Sequence, residues 1–396
     1  MDAQQRPRQL PKVKFRVLII GRANAGKTSI LQRVCETTES PVIYRRTGWK
    51  KEQIQLDPSV ERGEHRIEDE IVFSNNDGYI FHDSRGFESG GDKELGIVQN
   101  FVRQKSGEKR LADRLHAIWY CIPMDNQRPL LDLRHFRDIC PDQNVPVIGV
   151  FTKYDQFKKN VEMDLEDHGD CPDLGLVEKR FDEHYLRPLG DGARFVRLEK
   201  MHKPDGCCKN LIEETAGALN DDVVTLMLVA VQRGNLELSI AVAVKSACPN
   251  FVFETEDMKD IVEKCLTPFP YIWTVKAHTS FFKIFVDSVC SSFFRNLWVT
   301  YIMSMKVIQQ FFSANTRCHL MIATLIILRH ATILRPSGFS AKSALAQAEL
   351  DYQKLNISIK ITQHFTASPQ EYSVQNFVDF IQGVSFGQLL HYQNNI

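Results

Sequence analysis

The sequence has no excess of charge of either sign: 49 Lys and Arg are matched by 49 Asp and Glu among 396 residues. Without a basic field there is no long-range attraction to nucleic acid or to an anionic lipid surface, and only local patches remain open. Metal-type cysteine spacing is missing as well. Ten cysteines are scattered, the closest pair is the adjacent Cys207 and Cys208, and no CxxC occurs. Structural zinc and a disulfide framework are therefore not expected, and reduced thiols in a cytoplasmic compartment are. A membrane-spanning run is absent too. The longest uncharged apolar stretch of the second half, "CHLMIATLIIL", lies between Arg317 and Arg329, and a bilayer needs about twenty such residues. The C-terminal helices keep only the option of peripheral membrane contact. The opening "MDAQQRPRQLPKVK" lacks the apolar core of a secretory signal and reads as a flexible leader over residues 1–13. No repeat period or low-complexity run is present.

What is there is enough to fold. A chain that is 43% hydrophobic and 25% charged can bury a sizeable core and divides naturally into two domains. In the first half, strand-like and helix-like segments alternate, the pattern of a mostly parallel sheet covered by helices. "FRVLIIG" reads as a first strand and "KTSILQRVCE" as the helix after it. "HRIEDEIVF" and "YIFHDS" read as a strand pair turning at Asn76, Asp77 and Gly78. "HAIWYCI", "VPVIGVF" and "ARFVRLE" supply further strands, "LLDLRHFRDIC" has helical spacing up to Pro141, and a polar, acid-rich insertion runs from about 156 to 190. After residue 220 the pattern becomes helical, with Asn220 or Asp221 placed to cap. The expected organisation is a sheet domain over residues 14–220 and a helical region over 221–396.

The stretch "GRANAGKT" fits GxxxxGK[ST] from Gly21 to Thr28, entered by an apolar strand and left by a helix. In such a loop the backbone N–H groups turn inward around phosphate oxygens, Lys27 brings a point charge to the outer phosphates, and Thr28 offers a hydroxyl to Mg2+. Gly21, Asn24, Ala25, Gly26, Lys27, Thr28 and Ser29 are the candidate phosphate contacts.

Two later motifs choose the base. At the end of "YIFHDSRGFESG", Asp83 and Gly86 have DxxG spacing, which suits a carboxylate holding Mg2+ through water and a backbone N–H sensing the terminal phosphate. Ser84 stands where many ATPases carry a second acid. "VIGVFTKYD" then brings Thr152, Lys153 and Asp155 to a strand end. The stem of Lys153 would lie over a base, and Asp155 would accept from the ring N–H and exocyclic amine of guanine. Adenine offers neither at that edge, and an unmatched carboxylate would be costly. Thr152 replaces the usual asparagine.

With these three motifs in order, residues 14–220 resemble the GTPase superfamily of P-loop proteins, in particular the Era-type, septin and immunity-associated branch with its loop asparagine. The run "RGEHRIEDEIVFSNNDGYIFHDSRGFESG" is similar to a group of fungal G-domain proteins. The resemblance implies a three-layer α/β/α sandwich with GTP or GDP and Mg2+ at the C-terminal edge of the sheet. Lys27, Asp83 and Gly86 would be its catalytic core.

The resemblance also marks departures. Phe87 occupies the position that in many signalling GTPases holds a water-orienting glutamine, so intrinsic hydrolysis is expected to be slow. Asn24 combined with an apolar residue after DxxG is the arrangement with which related GTPases bind K+, the alternative being an amide that braces the loop. Arg85 could reach the phosphates or lie exposed. His82 alternates away from Asp83 and is expected to pack in the core. The switch I ligand for Mg2+ is Ser59, with Thr47 as the other candidate, and Lys200 to His202 is the expected base-bracing loop. Three functional readings follow: a slow, switch-like GTPase with a protein effector, a nucleotide-stabilised module that dimerises, and an ATPase, the last disfavoured by Ser84 and TKYD. The apolar stripes beyond residue 220 are read as mutual packing rather than an exposed docking face.

Overall fold

A computed structural model of the chain describes residues 13–47, 50–54, 66–84, 92–125, 133–140, 145–167, 174–203, 205–232, 235–247, 258–269, 314–334, 341–354 and 374–384. They form two compact units that divide between Val231 and Gln232.

The first unit is mixed α/β, built on an eight-stranded sheet with the order β3-β2-β4-β5-β1-β6-β7-β8. The strands are β1 (Phe15–Ile20), β2 (Val42–Thr47), β3 (Lys50–Ile54), β4 (Glu70–Phe73), β5 (Asn76–Asp83), β6 (Ala117–Pro123), β7 (Val147–Thr152) and β8 (Arg194–Arg197). From β5 through β1 and β6 to β8 all pairings are parallel. At the other edge β4, β2 and β3 are joined antiparallel. Continuous burial of β1 and β6 explains why β6 reads as an unbroken apolar run and β1 as one interrupted only by Arg16, since strands covered on two faces have no solvent side to make polar.

Helices cover both faces. Leu18, Ile20, Ile118, Tyr120, Ile122 and Phe151 point to one side, where they meet α2 (Asp92–Ser106), α3 (Tyr154–Asp167) and α4 (Leu174–Phe181). The acid-rich segment after residue 156 is thus mostly α3 and α4, and in α3 the buried residues Tyr154, Phe157, Val161 and Leu165 are spaced at three and four. On the opposite side lie α1 (Lys27–Val34), α5 (Lys209–Ala218) and α6 (Asp222–Val231). There the Trp119 indole N–H donates to Thr215 Oγ1 at 3.0 Å. Asp221 caps α6 by accepting from the Val223 and Val224 N–H groups. Although the texture of the sequence changes at about 220, α6 belongs to the sheet unit: the Asn76 amide donates to the Val231 carbonyl at 3.0 Å, in a buried position.

Three sequence expectations are corrected. The β4–β5 hairpin turns at Ser74 and Asn75, and Asn76 to Gly78 are inside β5. Gly78 is required there by close approach, because a Cβ would come within 2.8 Å of a Val231 methyl. Leu133 is helical, but residues 134–140 continue in turns, with i→i+3 bonds from Phe136 to Leu133 and Asp138 to His135, so the α-helix does not run on to Pro141. Buried Leu133, Phe136 and Ile139 recur every three residues, a spacing that such turns satisfy as well as a helix does. The β2–β3 hairpin was not foreseen at all, since "VIYRRT" and "KKEQI" are too polar to stand out as strands.

Beneath the sheet on the α2 side lies a buried charge cluster. Arg16 and Glu70 have side chains only 2% and 3% exposed and pair at 2.9 Å. Glu70 also takes Lys51 at 2.8 Å and Arg46 at 3.3 Å from the β2–β3 hairpin. Arg16 donates from Nε to the Ala112 carbonyl at 2.8 Å and lies 3.4 Å from Asp113. Its Nη1 is 3.2 Å from His82 Nε2, and His82 Nδ1 is 3.0 Å from the Ile67 carbonyl. Arginine is donor-only, so the neutral His82 accepts at Nε2 and donates from Nδ1. His82 is packed in the core, as its alternation with Asp83 suggested.

Burial, with Arg16 adding to it, holds His82 down at about 3, and burial likewise holds His116 at about 4. An unfolded chain protonates both near pH 6.5 and so binds more protons below that value than the folded chain does. Their contribution to stability is therefore complete above pH 6.5 and is lost as pH falls toward those lower values. Urea unfolding is expected to show lower stability at pH 5 than at pH 7.5, by up to about 2 kcal/mol for each histidine. Equal stability at the two values would contradict the neutral assignment.

The second unit is helical. Its described elements are α7 (Leu236–Ala247), α8 (Met258–Leu266), α9 (Ala314–Leu334), α10 (Ala341–Lys354) and α11 (Val374–Gly383). The apolar stretch singled out in the sequence lies in α9, where Leu320 to Leu328 are all buried in a core shared with α7, α8, α10 and α11. This stretch is packed within the helical unit. A buried pair, His330 Nε2 to Asp351 Oδ2 at 3.0 Å, ties α9 to α10. No described helix is long and apolar enough to cross a membrane. The stripes "PFPYIW" beyond Phe269 and "SSFFRNLWVTYIMSMKVIQQFF", and the segment after Lys354, lie outside the described residues.

Candidate functional site

The strand order reverses at β1, which has β5 on one side and β6 on the other. In open α/β sheets the crevice at the carboxyl ends beside such a reversal is where ligands bind. The Gly21–Gly26 loop leaves β1 at that point. Gly21 has φ 151, and a Cβ on it would meet the Cys121 carbonyl at 2.7 Å. Gly26 caps α1 at φ 83, and Asn24 sits between them at φ 59. Two glycines and an asparagine are the residue types that take these left-handed angles at least cost. The loop then curls so that α1 begins with Lys27 in its first turn. The Asn24 side chain is exposed and makes no hydrogen bond among the described residues, so it does not brace the loop within that set.

Lys27 turns back over the loop. Its ammonium donates to the Gly21 carbonyl at 2.7 Å and the Arg22 carbonyl at 3.2 Å, and stands 3.7 Å from Asp83 Oδ1. That oxygen is buried and has no hydrogen bond of its own, and the neighbouring Ser84 hydroxyl is in the same condition. Burial pushes the Asp83 carboxyl up, to about 6, with Lys27 pulling the other way. A buried carboxylate oxygen with lone pairs to spare and a hydroxyl on the residue after Lys27, at a helix start, are ligand types that a hard divalent cation takes, so the chemistry of Asp83 and Thr28 fits Mg2+. Thr28 is exposed on the first turn of α1, with Ser29 after it.

The TKYD segment joins this site from β7. Thr152 donates to the Ala25 carbonyl at 2.9 Å in a buried position, a brace between β7 and the loop that the threonine provides in asparagine's place. Lys153 has φ 57, and its ammonium lies 2.5 Å from Asp125 at the end of β6. Asp155 accepts from the Lys200 N–H at 3.0 Å, and Lys200 is itself at φ 50. The positional expectation for the 200–202 loop thus lands beside Asp155.

Lys27, Asp83, Thr28, the Gly21–Ser29 segment, Thr152, Lys153 and Asp155 are gathered at one edge of the sheet. Thr47 is not. It is exposed on β2, with β4 and β5 between it and β1, about 14 Å at the usual strand spacing. Ser59, Arg85, Gly86 and Phe87 lie outside the described residues. Sequence reasoning missed Asp125, which follows "WYCIPM" with nothing in its surroundings to mark it.

No family model and no curated protein matches the chain. Among solved structures, one titled "An oligomerised bacterial dynamin pair provides a mechanism for the long-range sensing and tethering of membranes" is similar over 98% of this chain and 73% of that one. The similarity stands at 10% identity and a TM-score of 0.34, a level that carries no argument about this chain.

Proposed function

We propose that residues 14–220 form a P-loop G domain that binds GTP and GDP with Mg2+ and hydrolyses GTP slowly, as a switch. The observation that carries the reading is the posture of Lys27, folded over two loop carbonyls with the orphaned Asp83 oxygen 3.7 Å away. A phosphate entering there would meet the ammonium, the loop N–H groups and the start of α1 together. Bound Mg2+, held by the Thr28 hydroxyl and by Asp83 through water, would neutralise charge on the outer phosphates. On this reading Gly86 senses the terminal phosphate and Ser59 supplies the switch I ligand. Phe87 offers no hydrogen bond to a water, so turnover depends on another group, with K+ beside Asn24 or a partner protein as the candidates. The protein would act in the cytoplasm through an effector or a second copy of itself.

On this reading Asp155, one of whose oxygens accepts from the Lys200 N–H, selects guanine. Labelled GTP bound to the purified protein with Mg2+ is expected to be displaced by GTP and GDP at least about a hundredfold better than by ATP. Asp155→Asn is expected to remove most of that preference. Equal competition by ATP would reject the guanine assignment, and a folded protein that binds no nucleotide would reject the G-domain reading altogether.

A further inference from the structure

Asp125 stands at the end of β6, and the parallel register Pro123↔Thr152 brings it out of the sheet beside Lys153. One carboxylate oxygen meets the Lys153 ammonium at 2.5 Å. The other lies 3.8 Å from the Arg22 guanidinium. Arg22 is the first variable residue of the glycine loop, and Lys153 is the lysine of TKYD. A single acid therefore spans the two segments that would hold the two ends of a nucleotide.

We infer that Asp125 is a positioning residue that fixes Lys153 for base discrimination, an assignment that rests on the guanine reading above. Lys153 carries a long, flexible stem and starts from a left-handed backbone, so nothing in the lysine itself fixes where its methylenes lie. With its ammonium anchored to Asp125, the stem spans a fixed path beside Asp155 and stands ready as an apolar wall against a base. Arg22 tightens the arrangement from the other side. If Asp125 loses its charge, Arg22 and Lys153 become two like charges without the acid between them, and Lys153 is driven toward solvent. All three groups are partly exposed, between 27% and 37%, so the ion pairs contribute little to overall stability and their effect falls on side-chain placement.

This separates two consequences of Asp125→Asn. Phosphate binding loses a nearby negative charge, which acts equally on guanine and adenine nucleotides. Base discrimination loses the wall that holds a base against Asp155, which weakens guanine more, because only guanine pairs with that carboxylate. The measurement is competition of GDP and ADP against a labelled guanine nucleotide with Mg2+ in wild type, Asp125→Asn and Asp125→Glu, together with the thermal midpoint without nucleotide. Asp125→Asn is expected to lower the GDP-to-ADP affinity ratio about tenfold, the scale of one charge-assisted hydrogen bond, at an unchanged midpoint. Asp125→Glu, which keeps the charge, is expected to restore most of the ratio. A wild-type preference for GDP that survives in Asp125→Asn overturns this inference and leaves the G-domain reading intact. Absence of any preference in wild type overturns the guanine reading, and this inference with it.

Discussion

Lys27→Ala is expected to weaken binding of guanine nucleotides on the order of a hundredfold or more, the equivalent of about 3 kcal/mol for a charged hydrogen-bond donor facing a charged ligand. The alternative explanation for such a loss is misfolding, and the geometry argues against it. Lys27 donates to two loop carbonyls that the Arg22–Ala25 turn already positions, and the loop is held independently by the Thr152 bond to the Ala25 carbonyl. The thermal midpoint of the nucleotide-free variant should therefore stay close to that of wild type. A second consequence concerns Asp83. Lys27 is the group that restrains the rise of its carboxyl, so removing the ammonium should raise that carboxyl further. Wild-type binding with Mg2+ should thus weaken below about pH 6, where Asp83 takes up a proton. Isothermal titration of GDP into both proteins, with midpoints measured in parallel, separates loss of a ligand contact from loss of fold. Binding that survives Lys27→Ala would mean that the ammonium faces no phosphate.

The largest loss of stability is expected at Glu70. Glu70→Ala removes the closest anionic partner of a buried guanidinium and is expected to cost about 3–5 kcal/mol in urea unfolding. Asp113, 3.4 Å from Arg16, offers only partial replacement. Removing the arginine should cost less on the ionic side, because Glu70 keeps Lys51 and Arg46. The double variant Arg16→Met with Glu70→Leu is expected to recover much of the loss, since two packed apolar side chains leave no charge stranded. If Glu70→Ala unfolded at the wild-type urea concentration, the cluster would have to be solvated and not a buried element of the core. Glu70 is held at about 2, far below its ordinary value, with the Arg16, Lys51 and Arg46 cations overcoming the opposing effect of burial. Its contribution is accordingly present above pH 4.5 and is lost as pH falls toward about 2, which adds to the acid sensitivity of His82.

Much of the site was legible because its parts are short contiguous strings. GRANAGKT encodes a backbone path through the positive φ angles of Gly21, Asn24 and Gly26, and any strand–loop–helix context would produce nearly the same curl. The strands of the parallel half were legible for a similar reason: β1, β6 and β7 are apolar runs that only a doubly covered sheet can bury. The β2–β3 hairpin was not, because its residues are mostly exposed or paired with distant charges, as Arg45 is with Asp69 through two bonds of 2.8 and 2.7 Å. Propensity has little to read when a strand's pairing partner lies far along the chain. Arg16 also hid its role. Nothing in "FRVLIIG" points to its partners, which are supplied from residues 70, 82, 112 and 113.

What this sequence determined by itself was local: a glycine loop between a strand and a helix, an aspartate at a strand end, a lysine and an aspartate after another, and a change from alternating to helical texture near residue 220. Each depends on backbone conformation within a few residues, which side-chain identity constrains directly. The tertiary structure alone decided which of these ends stand together, that Asp125 links Arg22 to Lys153, that Arg16 is buried against Glu70, and that α6 packs with the sheet. Those outcomes depend on strand order and register, and register sets neighbours across a sheet by a geometry that no stretch of contiguous residues contains.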